Sequence, residues 1–176
     1  DEVARGDRIL VDDLGVLVSV ASTTGGTKSF TGAITDGNDG DGSGISLTNN
    51  TGATITFSGG LLLSTGTNPA LTATGGGTIN VCDENPCNPA ATGGLVNTLT
   101  TSTGTALNVT NTTIGANKLE FRSISANGAV NGIVLNSTGS GGLTVTGNSS
   151  GLCGGQITAS GTPGVLPRVD PVRRRR

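Results

Sequence analysis

Four short segments of the sequence decide the fold: Gly44-Ile-Ser-Leu-Thr48, Ala70-Leu-Thr-Ala-Thr74, Ala106-Leu-Asn-Val-Thr110 and Gly132-Ile-Val-Leu-Asn136. Each alternates an apolar residue with a small polar one, which is typical of a strand with one buried face. The segments start 26, 36 and 26 residues apart, and the long interval contains a ten-residue insertion over 82–91. Without that insertion the period is 26 throughout. A fixed period of this size, built from short strands, predicts a solenoid whose turns stack to share one core.

Two further strands follow the first in each repeat. The second set is Thr54–Phe57, Thr78–Val81, Lys118–Phe121 and Gly142–Val145. The third set is Leu61–Ser64, Asn97–Thr100, Ser123–Ser125 and Gln156–Thr158. An earlier, partial rung is expected from Val16 to Ile34. The sequence therefore predicts an all-β fold: a right-handed, single-stranded parallel β-helix with three short strands per rung and four to five rungs. The handedness follows from the preference for right-handed crossovers between parallel strands.

The period-2 alternation also predicts which side chains form the core. In the first set, the inward pairs are Ile45/Leu47, Leu71/Ala73, Leu107/Val109 and Ile133/Leu135. In the second set, they are Ile55/Phe57, Ile79/Val81, Leu119/Phe121 and Leu143/Val145. Thr, Ser and Asn then face outward, where β-branched Thr suits an exposed sheet.

The composition fits a thin solenoid better than a compact globule. Only 33% of the residues are apolar and 2% aromatic, and Gly contributes 31 of the 176 residues. Each rung of a β-helix needs only a few inward aliphatic side chains, so this supply suffices. The net charge of -2 gives no reason to expect nucleic acid as a partner, and no apolar run is long enough for a transmembrane segment.

The chain divides into three parts. Residues 1–22 are expected to form an N-terminal cap and first strand, and residues 23–162 the β-helix repeats with 82–91 as an inserted loop. Residues 163–176 form a Pro/Arg tail, which ends in four Arg residues and is expected to be disordered or to cap the solenoid.

One acidic stretch is a candidate calcium site. Asp36, Asp39, Asp41 and Ser43 are interspersed with Gly, which lets the backbone curl so that hard oxygen ligands converge on Ca²⁺. The stretch is similar to the start of a DxDxDG calcium loop, but Asn50 stands where such a loop would have its bidentate Glu. The alternative interpretation is a solvated turn leading into the strand at Ile45.

The insertion contains two of the three cysteines. Cys82 and Cys87 are spaced to close a small disulfide loop, and the spacing does not suit a CxxC redox or zinc site. Cys153 is left over and could replace either partner. Cysteines in so polar a chain favour an oxidising, extracellular setting.

The alternation in one strand predicts that Lys118, Glu120 and Arg122 point outward. A polysaccharide-acting enzyme would need two or three carboxylates from adjacent rungs, and Glu120 has only Thr or Asn at the equivalent positions of the other second strands. A solvated ladder of ion pairs is the expected arrangement. Since the chain has no His, Ser-His and Cys-His catalysis are excluded. The sequence thus predicts no enzyme.

Outward Thr-x-Thr pairs keep a binding role open. Thr54/Thr56, Thr72/Thr74, Thr98/Thr100 and Thr144/Thr146 are similar to the threonine arrays of ice-binding solenoids, although they are spread over three faces. An ice- or glycan-binding solenoid is therefore the alternative function.

The phrases Thr103-Gly-Thr-Ala-Leu-Asn-Val-Thr-Asn-Thr-Thr-Ile-Gly-Ala116 and Arg122-Ser-Ile-Ser-Ala-Asn-Gly128 carry a family resemblance. From about Thr23 to Ser160 the chain resembles the β-strand-repeat, parallel β-helix segments of large bacterial secreted and cell-surface proteins. The resemblance implies an extracellular, adhesin-like structural role, with no catalytic motif to transfer. The expected partners are the chain itself, in an oligomer or filament, or other cell-surface proteins and glycans. No cofactor is expected apart from calcium.

Overall fold

The computed structural model describes residues 8–11, 15–37, 42–90, 93–147 and 157–158. These residues form strands and turns without any helix. The strands are β1 (Arg8–Val11), β2 (Val16–Ala21), β3 (Thr27–Phe30), β4 (Ile34–Asp36), β5 (Ser43–Thr48), β6 (Thr54–Phe57), β7 (Leu61–Ser64), β8 (Leu71–Thr74), β9 (Thr78–Val81), β10 (Thr98–Thr101), β11 (Leu107–Thr110), β12 (Thr113–Phe121), β13 (Ser123–Asn127), β14 (Ile133–Asn136), β15 (Leu143–Val145) and β16 (Ile157–Thr158).

The strands assemble into three sheets that run the length of a solenoid. The first sheet has the order β1-β2-β5-β8-β11-β14, the second β3-β6-β9-β12-β15 and the third β4-β7-β10-β13-β16. Every pairing in them is parallel except the one between β1 and β2. Each turn contributes one strand to each sheet, so the fold is an all-β solenoid of about five turns, as the sequence predicts. The earliest rung (β2, β3 and β4) is complete rather than partial.

The inward columns of the first sheet have the predicted register. Leu107 pairs with Leu71 on one side and with Ile133 on the other, and Ile45 pairs with Leu71. The parallel column joins Leu47, Ala73, Val109 and Leu135. Residues of both columns are buried in the three middle rungs. Stacked in this way, each aliphatic side chain is covered by its neighbours above and below, and burial of the column stabilises several turns at once.

The two ends of the described solenoid differ from its middle. At the first rung, β1 covers the edge of the first sheet by pairing antiparallel with β2. In that rung Lys28 occupies the position that pairs with the inward Ile55, and its Nζ donates a hydrogen bond to the Gly25 carbonyl. At the last rung Leu135 and Val145 are 42% and 38% exposed, although their columns are buried deeper in the solenoid.

The fourth rung departs from the predicted register of the second sheet. Ile114, rather than Leu119, pairs with Ile79, and Leu119 pairs with Val81. Four residues of β12, 115–118, thus stand opposite one residue of β9, Asn80, and the three additional residues form a bulge. Asn80 supports this bulge, because its Oδ1 accepts a hydrogen bond of 3.1 Å from the Asn117 main-chain nitrogen. Leu119 and Phe121 are buried, as predicted, but Leu119 is level with Val81 rather than Ile79, because equal spacing of the rungs cannot reveal a bulge.

Candidate functional site

The predicted calcium stretch lies only partly within the described chain. Asp36 is the last residue of β4 and pairs with Leu63, and Ser43 is the first residue of β5 and pairs with Val16. Asp39 and Asp41 lie outside the described residues. The calcium hypothesis for this stretch therefore remains a prediction.

The insertion carries a disulfide. The Sγ atoms of Cys82 and Cys87 lie 1.98 Å apart and close a loop that contains Asp83 and Glu84. Cys153, the other candidate partner, lies outside the described residues. The loop follows β9 directly, so it leaves the solenoid beside β12 of the next rung.

Three carboxylates meet where this loop passes β12. Oxygen atoms of Asp83, Glu84 and Glu120 all lie within 4.8 Å of one another. Because the bulge places Leu119 level with Val81, Glu120 falls level with Cys82, where the loop begins. The register shift and the insertion together create the cluster.

Main-chain groups just beyond the disulfide-closed loop hold two of the carboxylates in place. The Gly93 main-chain nitrogen donates a hydrogen bond of 3.0 Å to Oδ2 of Asp83, and the Asn88 main-chain nitrogen donates to Oε1 of Glu84. Each carboxylate therefore has one anchored oxygen. The other oxygens, Oδ1 of Asp83 and Oε2 of Glu84, are buried and have no hydrogen-bond partner among the described residues, and the same holds for Oε2 of Glu120.

The prediction that Glu120 belongs to a solvated ladder was wrong. Glu120 is only 6% exposed, since the loop covers the outer face of β12. Lys118 also contacts this loop, with its Nζ donating a hydrogen bond of 3.0 Å to the Pro89 carbonyl. Only Arg122 of the three predicted outward residues is exposed.

Burial and neighbouring charge change the acidity of Glu120. Desolvation raises the pKa of its carboxyl most. The negative charge of Asp83 raises this pKa further, as do a side-chain hydrogen bond with Asp83 and the charge of Glu84, while a hydrogen bond accepted from the Asp83 main chain lowers it. A buried carboxylate beside two others is electrostatically unfavourable unless a proton or a cation joins the group.

A cleft of about 410 Å³ adjoins the carboxylates. Gly93, Gly94 and Leu95, which follow the insertion, line one part of it, and Arg122 and Thr146 line another. The cleft gives water and small solutes access to the edge of the cluster. Asp83 and Glu120 also line the cleft, while one oxygen of each is buried without a hydrogen-bond partner among the described residues.

Sequence reasoning missed this site because it compared Glu120 only with residues of other regular strands. Asp83 and Glu84 belong to no strand, and the bulge moves Glu120 toward them. A usable signal was present, since both irregular segments, 82–91 and 115–118, occur in consecutive rungs beside the same sheet.

Comparison with known proteins found no matching family model, no similar curated protein and no similar solved structure. Within the described part of the chain, no helix is long and apolar enough to cross a membrane.

Proposed function

We propose that this chain is a rigid structural segment of an extracellular or cell-surface protein, adhesin-like in role, which displays its faces for adhesion or self-assembly. The five-turn solenoid supports this proposal, because stacked turns give a stiff rod with long, repetitive outer faces. The disulfide between Cys82 and Cys87 supports an oxidising environment.

The apolar surface at the last rung of the described solenoid is the observation that carries the assembly part of the proposal. Leu135 and Val145 continue columns that are buried in the preceding rungs, yet both are substantially exposed. A further rung from a second copy would cover these side chains and extend the sheets. Such a contact joins two different surfaces of the chain and does not close into a ring, so repeated addition of copies gives a filament.

Sedimentation velocity of the full chain over a range of concentrations tests this proposal. We expect Leu135→Lys to reduce association, because it places a charge at the contact between ends. Leu62→Lys is a matched control, since Leu62 is 41% exposed on the outer face of β7, away from the ends. A wild-type chain that stays monomeric at high concentration, or equal effects of both substitutions, would count against end-to-end assembly.

The alignment of Thr residues favours ice or glycan binding as a second candidate function. On the first sheet, Thr48, Thr74 and Thr110 form one outer column, and Ser46, Thr72 and Asn108 form the column beside it. Regular rows of hydroxyl groups about 4.8 Å apart can order water or contact sugar hydroxyls. Thermal hysteresis and glycan binding should both be lost in Thr74→Lys if this face is responsible.

We also propose that the chain is not an enzyme. The absence of His from the sequence supports this, as does the burial of the three carboxylate oxygens that a glycosidic bond would have to reach. Incubation with polysaccharides and analysis of chain length is the direct test. Hydrolysis that Glu120→Gln abolishes would contradict the proposal.

A further inference from the structure

The loop closed by Cys82 and Cys87 places the carboxylates of Asp83 and Glu84 beside the buried carboxylate of Glu120. We propose that Asp83, Glu84 and Glu120 bind a divalent cation, Ca²⁺, between the insertion and β12. The inference does not depend on the adhesive or assembly role of the chain.

The orientation of the carboxylates is the first argument. Hydrogen bonds from Gly93 and Asn88 fix one oxygen of Asp83 and one of Glu84, so the second oxygen of each points in a defined direction. These second oxygens and Oε2 of Glu120 are the buried atoms that have no partner. Two anchored acids and the buried Glu120 therefore bring carboxylate oxygens within 4.8 Å of one another.

The burial of Glu120 is the second, independent argument. The residue is 6% exposed, so more than nine tenths of it is shielded from water, and Oε2 has no hydrogen-bond partner among the described residues. Burying an ionised carboxylate without a compensating charge or hydrogen bond is strongly unfavourable. Two more acids beside it add repulsion, which a divalent cation would convert into attraction.

The chemistry of the ligands selects the class of ion. All three side chains offer carboxylate oxygens, and the cysteines that flank the loop are joined in the disulfide. Oxygen-only sites favour hard cations such as Ca²⁺ and Mg²⁺ over zinc or copper. Ca²⁺ accepts irregular sets of six to eight oxygens, and the adjoining cleft can supply the water ligands that complete the shell.

Calorimetric titration of the full, oxidised chain with CaCl₂ tests the proposal, together with thermal unfolding in Ca²⁺ and in EDTA. We expect a rise in Tm with Ca²⁺ and about 10-fold or greater weakening of binding in Glu120→Gln. Asp170→Asn is the matched control, since it makes the same carboxylate-to-amide change in the C-terminal tail, outside both acidic stretches. It should leave the calorimetric titration unchanged.

The behaviour of Glu120→Gln in EDTA separates binding from a purely structural role. The amide removes a buried charge, so this variant should match or exceed the wild type in Tm without Ca²⁺, and its Tm should rise less than that of the wild type when Ca²⁺ is added. Three results would overturn the proposal: a wild-type chain that does not respond to Ca²⁺, a response that Asp41→Asn abolishes and Glu120→Gln retains, or tighter binding of Mg²⁺ than of Ca²⁺.

Discussion

The side-chain nitrogen of Asn97 donates a hydrogen bond of 2.9 Å to the main-chain carbonyl of Glu120. The same nitrogen donates to the Cys82 carbonyl at 2.8 Å, and Oδ1 accepts from the main-chain nitrogen of Leu61 at 2.8 Å. Asn97 is 1% exposed. One buried carboxamide thus fixes the two backbone segments that bring the carboxylates together, the start of the insertion and the end of β12.

We expect Asn97→Ala to lower the free energy of unfolding by about 3 kcal/mol or more, because each buried group left unpaired costs about 1–3 kcal/mol. Denaturant titration followed by circular dichroism measures this loss. Asn136→Ala is the control, since Asn136 is exposed and its side chain contacts Ser137. The interpretation of Asn97 as a structural centre fails if the two substitutions have similar effects.

A second prediction concerns the inward column of the first sheet. Leu107 is fully buried between Leu71 and Ile133, so Leu107→Asp would place an unpaired charge in the core. We expect a loss of at least about 4 kcal/mol, with several rungs unfolding together. Far-UV circular dichroism and the Tm measure it.

The neighbouring residue provides the control for that experiment. Asn108→Asp introduces the same charge on the outer face, where the Asn108 side chain accepts a hydrogen bond from Thr110. An aspartate oxygen can accept the same bond, so the change in Tm should be small. An unchanged Tm in Leu107→Asp would show that the register of the column is wrong.

The regular part of this fold could be predicted from sequence because period and alternation act on every rung. The repeated pattern around Ile45, Leu71, Leu107 and Ile133 places equivalent side chains in one column, and parallel pairing keeps them there. The site could not be predicted in the same way. It depends on a bulge in β12 and on a loop whose path is set by local hydrogen bonds, and neither repeats.

The pH dependence of stability provides a third prediction. The pKa of Glu120 is raised above its ordinary value of 4.5 by burial, and further by Asp83 and Glu84, which face it from the loop. Between pH 4.5 and the raised pKa of Glu120, the folded chain holds a proton that the unfolded chain has released. In EDTA the free energy of unfolding should therefore fall as pH rises above 4.5 and level off beyond the raised pKa.

Urea titrations of the wild type and of Glu120→Gln at several pH values check this sign. The difference between the free energies of unfolding of the two chains gives the contribution of Glu120. This difference should disfavour the wild type increasingly as pH rises. A difference that stays constant with pH, or changes in the opposite direction, would contradict the burial of this carboxyl.

The last prediction concerns the glycine that closes the insertion against the cluster. A Cβ atom on Gly93 would lie 2.1 Å from the main-chain oxygen of Asp83 and 2.6 Å from Oε2 of Glu84. Both distances are far below van der Waals contact, so Gly93→Ala must displace the loop. That displacement would break the hydrogen bond from the Gly93 nitrogen to Oδ2 of Asp83. We expect a loss of about 1–3 kcal/mol in stability and weaker binding of Ca²⁺.

Gly94→Ala is a closely matched control, because a Cβ atom there meets nothing within 4 Å. Thermal unfolding and calorimetric titration of both variants measure the two effects. If Gly93→Ala retains the stability and Ca²⁺ affinity of Gly94→Ala, the loop does not position the carboxylates as described.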